Sequence, residues 1–277
     1  GHVRCLHIRS ADVDAATHKA ITTGTLKNKF GIDLETAKNI FLNQKKFPNL
    51  KMNGIHIHIG SQITTVAPYL IALKKVIAFK ENLEKQGIRL EYLNFGGGMA
   101  ADYISGSAQT ADQIAKKLIP LLKRINLKII MEPGRFIVAN AGIFVTKVLS
   151  LKDNGVKKFL IVDGGMNDLI RPSLYGAHHE IVPIKKTLDK KVTVDIVGPI
   201  CESGDFLGKD RRLPQLSKGS LIAVMTAGAY GYAMSSNYNA RCRVAEVMVK
   251  GSKMGLINKR ETFSDLVPGE KIPGFLK

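Results

Sequence analysis

Two histidines alternate with isoleucines in the stretch GIHIHIGSQ, which occupies positions 54–62. An extended strand would place the isoleucines on one face and His56 and His58 on the other, before a glycine and a serine end the run. Two imidazoles at a strand end can bind zinc, contact a phosphate or fill a polar position in the core. The other histidines do not follow the neighbouring strands. We therefore expect no metal site, and we predict that His58, at the tip, is functional and His56 structural.

A run of three glycines follows a second predicted strand, at Gly96, Gly97 and Gly98. Residues without a Cβ allow the backbone to approach a ligand, and their N–H groups suit a phosphate. A tight turn explains the run equally well. Together with Ser61 and Arg135 at the ends of neighbouring strands, the run becomes a candidate cradle for a dianion.

The stretch MEPGR places Glu132 and Arg135 at a third strand end. The two charges could form only an ion pair with each other. In a cleft that binds phosphate they can instead contact different parts of a ligand, with Arg135 near an anionic group and Glu132 against a cationic ring nitrogen.

The second half of the chain contributes further candidates. Cys201 and Glu202 lie between two glycines in GPICESGDFL and could supply a proton donor and a ligand for an amine. Alternatively, Cys201 is a small buried apolar residue. Arg171 and Tyr175 in IRPSLY, and Tyr230 in AGAYGY, could hold carboxylate or phosphate oxygens.

The candidates of the first half follow short apolar segments that alternate with helical patterns, at residues 3–9, 54–60, 90–98 and 128–135. One helical pattern ends at Gly87, and another begins with the capping-box spacing of Thr110 and Gln113. In parallel α/β folds, catalytic and binding residues lie at the carboxyl ends of the strands. We therefore expect the strand ends that carry His58, the glycine run and Glu132 to face one site.

Beyond about residue 140 the pattern changes to strand-like runs without intervening amphipathic helices: GIFVTKVLSL, KFLIVDG, VTVDIVG, SLIAVMTAG and RVAEVMVKG. This pattern predicts a mostly antiparallel β domain. We place the domain boundary between 1–140, a (β/α) region, and 141–277.

Composition limits the class of protein. The 277 residues are 45% hydrophobic and contain no apolar run of about 18 residues, so we expect a cytoplasmic protein without a membrane partner. Three distant cysteines do not indicate a disulfide framework or a zinc site. The formal charge is +18, but the lysines include scattered pairs and do not form one stripe. We therefore expect no nucleic-acid partner, and we attribute the charge to a basic proteome or to attraction of anionic substrates.

The count of predicted strands is low for a complete barrel. An eight-stranded (β/α) barrel takes roughly 250 residues, whereas the first half of this chain has four predicted strands. We therefore expect the chain to begin in the middle of a fold.

Six ordered stretches resemble the diaminopimelate decarboxylases, pyridoxal-phosphate enzymes of the alanine-racemase and ornithine-decarboxylase fold type: GIHIHIGSQI, LNFGGG, MEPGRFIVANAG, IVDGGMNDLIRPSLYGAHHEI, VGPICESGDFL and AGAYGYAMSSNYNARCRVAEV. The stretch TGTLKNKFGID (23–33) adds to the likeness. The resemblance implies an α/β fold, the C-terminal part of a (β/α)8 barrel that binds pyridoxal 5'-phosphate, followed by the β domain. It also implies decarboxylation of meso-2,6-diaminopimelate to L-lysine.

The resemblance assigns roles in the first half of the chain. His58 matches a histidine that stacks on the cofactor ring, and Ser61 and the glycine run match phosphate-binding positions. Glu132 matches the partner of the pyridine nitrogen, whose protonation lets the ring accept electrons. Gly134 belongs to the same cofactor-binding motif. Arg135 serves phosphate or substrate carboxylate in related enzymes, and both alternatives stay open.

The resemblance also assigns roles in the second half. Arg171 and Tyr175 match residues that hold the distal end of the substrate, and Tyr230 matches a tyrosine near the phosphate and substrate. Cys201 and Glu202 match catalytic residues that reach the active site from a second subunit, so the resemblance implies a homodimer with shared active sites.

One departure from the family pattern is serious. The lysine that binds the cofactor lies in a motif resembling YAVKAN, which this sequence does not contain. We therefore expect an N-terminally incomplete chain, of doubtful activity alone. Two alternatives remain: a related decarboxylase of arginine, ornithine or carboxynorspermidine, and a non-catalytic homologue that binds a partner.

Overall fold

The computed structural model describes residues 4–7 and 30–276, with side chains described from residue 30 onward. Most of the stretch TGTLKNKFGID (residues 23–29), and the side chain of Cys5, lie outside the described residues. The chain divides into two units, Gly1–Asn140 and Ala141–Lys277.

The first unit is an α/β unit with a four-stranded parallel sheet in the order β1-β2-β3-β4. Its strands are β1 (Arg4–His7), β2 (Met52–His56), β3 (Tyr92–Asn94) and β4 (Lys128–Ile130). Its helices are α1 (Leu34–Leu42), α2 (Ala67–Glu84), α3 (Ala111–Ile125) and α4 (Arg135–Val138), with short 3-10 helices at Gln44–Lys46 and Ala139–Ala141. The four predicted strands and their parallel arrangement with helices are confirmed.

The predicted alternation in GIHIHIGSQ is confirmed. Ile55, Ile57 and Ile59 are at most 2% exposed, whereas His56 and His58 are half-buried. Each buried isoleucine contributes about 2 kcal/mol through the apolar surface it removes from water. The pattern continues past the end of β2, because the Ile57 N–H donates to the Asn94 carbonyl at 2.9 Å.

The predicted helix signals are also confirmed. The N–H groups of Gly87 and Ile88 donate to the carbonyls of Glu84 and Leu83, and Gly87 has φ +78°, which together form a Schellman motif after α2. At the start of α3, Thr110 and the glutamine three positions later form both bonds of a capping box.

The second unit is mostly antiparallel, as predicted. Its six-stranded sheet has the order β7-β10-β5-β6-β8-β9, in which only β6 and β8 pair in parallel. The strands are β5 (Phe144–Asp153), β6 (Lys158–Val162), β7 (Ile181–Pro183), β8 (Lys191–Val197), β9 (Phe206–Pro214) and β10 (Leu221–Val224). A separate hairpin consists of β11 (Glu246–Lys250) and β12 (Lys253–Asn258).

Short helical segments of the second unit are α5 (Arg171–Tyr175), α6 (Phe263–Leu266) and 3-10 helices at Tyr232–Met234, Tyr238–Ala240 and Gly274–Leu276. Its core consists of aliphatic side chains from the sheet, including Val148, Leu160, Val162, Val194, Ile196, Leu207, Ile222 and Val224. Among the described residues, no helix is both long and apolar enough to cross a membrane.

Candidate functional site

Three strand ends of the first unit lie at one edge of its parallel sheet. Backbone hydrogen bonds continue the ladder beyond the strands: the Phe95 N–H donates to the Ile130 carbonyl at 2.8 Å, and the Glu132 N–H donates to the Gly96 carbonyl at 2.8 Å. Farther along, the Ile63 N–H donates to the Gly98 carbonyl at 2.9 Å. The tips after β2, β3 and β4 are therefore bonded directly to one another.

The glycine run is required by the packing of these tips. A Cβ at Gly96 would lie 2.3 Å from the carbonyl oxygen of Ile57, and one at Gly97 would lie 2.2 Å from that of Glu132. A Cβ at Gly98 would lie 2.2 Å from that of Gly60. Gly96 and Gly98 also have φ values of +70° and +89°, which disfavour other residues. Backbone approach, and not a simple turn, explains why three glycines occur in succession.

His58 is fixed against the glycine run. Its Nδ1 accepts a hydrogen bond from the Gly97 N–H at 3.3 Å, so a neutral ring carries its proton on Nε2. Burial lowers the pKa of His58, against a smaller opposing effect of the Glu132 charge. A neutral imidazole presents a flat face that can stack on an aromatic ring.

A buried tyrosine supports the same tip from below. The Tyr69 hydroxyl donates to the Gly97 carbonyl at 3.0 Å, and the side chain is fully buried. Burial raises the pKa of Tyr69, so the hydroxyl stays protonated and remains a donor. Both polar groups of the central glycine are therefore used to hold the tip in place.

Glu132 is oriented by Asn94, which the sequence analysis did not identify. The Asn94 Nδ2 donates to Oε1 of Glu132 at 2.7 Å, and its Oδ1 accepts from the Gly96 N–H at 2.9 Å. His56 Nε2 lies 3.5 Å from the same Oε1. His56 is thus a neighbour of the carboxylate. The only sequence signal for Asn94 was its place as a polar residue two positions before the glycine run.

Arg135 and Ser61 meet, as the sequence analysis required. Arg135 is 7% exposed, and its Nη2 donates to the Ser61 hydroxyl at 3.1 Å. Its Nη1 donates to the Tyr103 hydroxyl at 2.9 Å. Tyr103 was missed, although it is the first aromatic residue after the glycine run. A Cβ at Gly134 would meet nothing within 4 Å, so packing does not require a glycine there.

In the second unit, Cys201 and Glu202 occupy a loop that is fixed by Asp205. The two Asp205 oxygens accept the Met166 N–H at 2.7 Å and the Ile200 N–H at 2.6 Å. Burial raises the pKa of Asp205, while these two hydrogen bonds oppose the rise. Cys201 is exposed, so the alternative interpretation of it as a buried apolar residue is wrong.

The remaining candidates of the second unit lie on α5 and on another loop. Arg171 is 4% exposed, and Tyr175 is half-buried one helical turn later. The Ser173 hydroxyl donates to the Gly204 carbonyl at 2.5 Å, which joins α5 to the Cys201 loop. Tyr230 is 43% exposed and has φ +60°.

Tyr238 is a further residue that the sequence analysis missed. A hydrogen bond with Glu202, together with the charge of that carboxylate, raises the pKa of the Tyr238 hydroxyl. Tyr238 therefore lies beside the loop that carries the predicted catalytic pair. Among the described residues, no group of three or more histidine, cysteine, aspartate and glutamate side chains is arranged to hold a metal ion.

Comparisons with known proteins identify the family of this chain. The family model of the pyridoxal-dependent decarboxylase, C-terminal sheet domain, matches residues 69–228. Diaminopimelate decarboxylase of Aquifex aeolicus is 49% identical over 257 residues, which cover 92% of this chain and 61% of the relative. That of Vibrio cholerae is 47% identical over 256 residues, with the same two coverages.

Solved structures give the same result. The crystal structure of diaminopimelate decarboxylase from Helicobacter pylori complexed with L-lysine is 40% identical, with a TM-score of 0.88 over 95% of this chain and 65% of that one. The chain belongs to the pyridoxal-dependent decarboxylases. It spans 61% of the length of the first two curated relatives, less than two thirds.

Proposed function

We propose that this chain carries the cofactor- and substrate-binding residues of a pyridoxal-phosphate-dependent decarboxylase that converts meso-2,6-diaminopimelate to L-lysine and CO2. The observation that carries the proposal is the meeting of His58, the glycine run and Glu132 at one edge of the parallel sheet, beside the Ser61–Arg135 pair. Relatives named diaminopimelate decarboxylase support the substrate, and one related structure contains the proposed product, L-lysine.

The residues at this edge fit the chemistry of the cofactor. Arg135 and Ser61 offer a cation and a hydroxyl to a phosphate, and a backbone without Cβ atoms leaves room beside them. His58 offers a neutral aromatic face, and Glu132 offers a carboxylate to a ring nitrogen. When bound, pyridoxal phosphate supplies an electron sink for the pair that remains when the carboxylate leaves.

Glu132 has the decisive role among these residues, because its negative charge holds a proton on the pyridine nitrogen. The hydrogen bond from Asn94 Nδ2 at 2.7 Å fixes the position of Oε1 of Glu132. His58 and the buried Tyr69 hold the glycine run in place through the N–H and the carbonyl of Gly97. Within this proposal, Gly134 belongs to the cofactor site, and Arg135 binds the phosphate or a substrate carboxylate.

The second unit supplies the substrate and acid–base groups in this proposal. Arg171, Tyr175 and Tyr230 hold the distal part of the substrate, and the exposed Cys201 and Glu202 serve a site shared between two subunits of a homodimer. Glu202 contacts the substrate amine, and Cys201 delivers a proton to the product carbon.

The same proposal covers the architecture and location. Residues 1–140 form part of a (β/α)8 barrel that binds the cofactor, and residues 141–277 form the C-terminal β domain. The thiols of Cys201 and Cys242 are free, which fits a reducing compartment, and we place the enzyme in the cytoplasm.

The test uses the intact gene product that contains this chain, with a Glu132→Gln substitution. We expect kcat for meso-diaminopimelate to fall by about 100-fold or more, because the neutral amide no longer holds the ring nitrogen protonated. Glu84→Gln, which removes an exposed helix carboxylate paired with Lys80, is the matched control and should behave as the wild type. Turnover of Glu132→Gln equal to that of the control would remove the proposed role of Glu132.

A substrate panel separates the alternatives. Lysine/ornithine decarboxylase of Vibrio vulnificus complexed with cadaverine is 27% identical, with a TM-score of 0.70 over 76% of this chain. A preference for ornithine, arginine or carboxynorspermidine over meso-diaminopimelate would therefore contradict the proposed substrate and leave the proposed cofactor chemistry unchanged. Absence of bound pyridoxal phosphate and of all decarboxylation would favour a non-catalytic homologue instead.

A further inference from the structure

Two adjacent histidines of the second unit each contact an arginine, and the two arginines lie on different elements. His179 Nε2 lies 2.7 Å from Nη1 of Arg171 on α5, and His178 Nδ1 lies 2.6 Å from Nη1 of Arg211 on β9. His179 is 0% exposed and Arg171 is 4% exposed. His178 and Arg211 are only half-buried.

The partners of His179 determine where its proton lies. Its Nδ1 is 2.8 Å from the carbonyl oxygen of Met225, which can only accept a hydrogen bond. The guanidinium of Arg171 can only donate. The imidazole must therefore donate from Nδ1 and accept at Nε2, which is the neutral ring with one defined tautomer.

The neutral ring leaves the charge of Arg171 intact. Burial lowers the pKa of His179 to about 4; the Met225 carbonyl opposes this effect, and the charges of Arg171, His178 and Arg211 add to it. A carboxylate in the place of His179 would also accept from Arg171, but it would cancel the positive charge that a bound anion needs. A neutral acceptor fixes the direction of the guanidinium and leaves its positive charge available to an anion.

His179 also ties Arg171 to the segment that leads to Tyr230. The Met225 N–H donates to the Glu180 carbonyl at 2.8 Å, so both backbone groups of Met225 are held next to the histidine. The chain then turns at Thr226, which has φ +56°, before it reaches Tyr230. One imidazole thus connects two of the predicted substrate-binding residues.

From these contacts we propose that His179 is a positioning residue, which aims the guanidinium of Arg171 at a carboxylate of the substrate. The inference rests on the proposed function, in which Arg171 holds the distal end of an amino acid. His179 thereby contributes to the specificity for the substrate, because a rigid planar guanidinium distinguishes a carboxylate from an uncharged or cationic end group.

The kinetic test compares His179→Leu, His179→Gln and the matched control His178→Leu in the intact gene product. The substrate is meso-diaminopimelate, or whichever member of the panel the wild type turns over. For His179→Leu we expect KM to rise by about tenfold or more with kcat within about threefold, the pattern of lost binding that is equal in ground and transition states. His179→Gln should recover most of the affinity, because an amide offers one acceptor and one donor. His178→Leu should change KM by less than about twofold.

A wild-type KM in His179→Leu, or an equal rise in His178→Leu, would overturn the inference while leaving the proposed function intact. Loss of kcat in all three variants with KM unchanged would also overturn it, because a general packing role would then suffice. Correct cofactor content and far-UV circular dichroism establish that each variant is folded.

If the wild type decarboxylates nothing, the proposed function is overturned. The role of His179 can still be tested by a measurement that needs no substrate. Nitrogen-15 NMR of His179 at pH 7 should show a neutral ring with its proton on Nδ1. A doubly protonated ring, or a proton on Nε2, would contradict the contact with Arg171 and overturn the positioning role whatever the activity.

Discussion

The glycine run of the first unit and the side chains of Asp205 and His179 in the second unit hold their surroundings in place by different means. In the first unit, backbone groups approach one another so closely that glycines are necessary, as at Gly97, where a Cβ would meet the Glu132 carbonyl. In the second unit, buried polar side chains accept or donate hydrogen bonds across loops, as Asp205 and His179 do. Backbone packing tolerates no added atom, whereas a side-chain anchor is lost when its hydrogen-bonding pattern changes.

The largest expected effect comes from adding a methyl group to the backbone-packed tip. Gly97→Ala should lower the free energy of unfolding by about 3 kcal/mol and weaken the binding of pyridoxal phosphate, because the Glu132 backbone must move. The measurements are urea unfolding followed by circular dichroism, since the chain has no tryptophan, and titration with the cofactor.

The matched variant in the second unit is Gly165→Ala. Its Cβ would lie 2.8 Å from Oδ1 of Asp205, a side-chain atom that can yield by lengthening its hydrogen bond from the Met166 N–H, without movement of the backbone. We expect a loss of about 1 kcal/mol. Equal losses for Gly165→Ala and Gly97→Ala would show that backbone packing at the glycine run is no less tolerant than the contact with the Asp205 side chain.

Changing the hydrogen-bonding pattern of the side-chain anchor should have the next largest effect. Asp205→Asn replaces one of two acceptors with an amide that opposes a backbone N–H, which should lower the free energy of unfolding by about 2 kcal/mol. Hydrogen exchange at Met166 and Ile200 should accelerate. Asp210→Asn, at a 69% exposed side chain, is the control and should change stability little. Unchanged exchange in Asp205→Asn would mean that the anchor does not fix the loop.

The buried histidine should make the stability of the protein depend on pH. The pKa of His179 is about 4 in the folded protein, below the ordinary value of 6.5, so the unfolded chain binds the proton first as the pH falls. This contribution is fully present above the ordinary pKa and is lost as the pH falls from about 6.5 towards 4. Between pH 7 and pH 5 the loss should be about 1.8 kcal/mol.

The measurement is the free energy of unfolding against pH for the wild type minus that for His179→Gln, which lacks the titrating ring. The difference isolates His179 from other groups, such as Asp205, whose raised pKa acts in the opposite direction. A difference that does not vary between pH 7 and pH 5 would contradict the buried neutral ring.

The smallest expected effect concerns a local signal in the first unit. Thr110→Ala removes the acceptor for the Gln113 N–H at the start of α3 and should cost about 1 kcal/mol in the free energy of unfolding. Thr110→Ser keeps a hydroxyl and should retain most of that stability. A loss as large as that of Gly97→Ala would place α3 among the elements that hold the site.

The sequence predicted the strands and helices of the first unit well, because each has a strong local pattern. It missed β7, β9 and β12 in the second unit. Strand β9 contains the polar run KDRR, and its middle is largely exposed while its ends are buried against the sheet. A strand of this kind is defined by its pairing with β8, which no local pattern reveals.

What the sequence by itself determined is the set of strand tips and the residue types that they carry: His58, the glycine run, Glu132 and Arg135. Only the tertiary structure decided the partners of these and other site residues, which lie far away along the chain. Ser61 and Arg135 are 74 residues apart, His58 and Gly97 are 39 apart, and His179 and Met225 are 46 apart. The reason is physical: periodicity and capping act within a few residues, whereas a hydrogen bond between distant residues depends on the register and packing of whole strands.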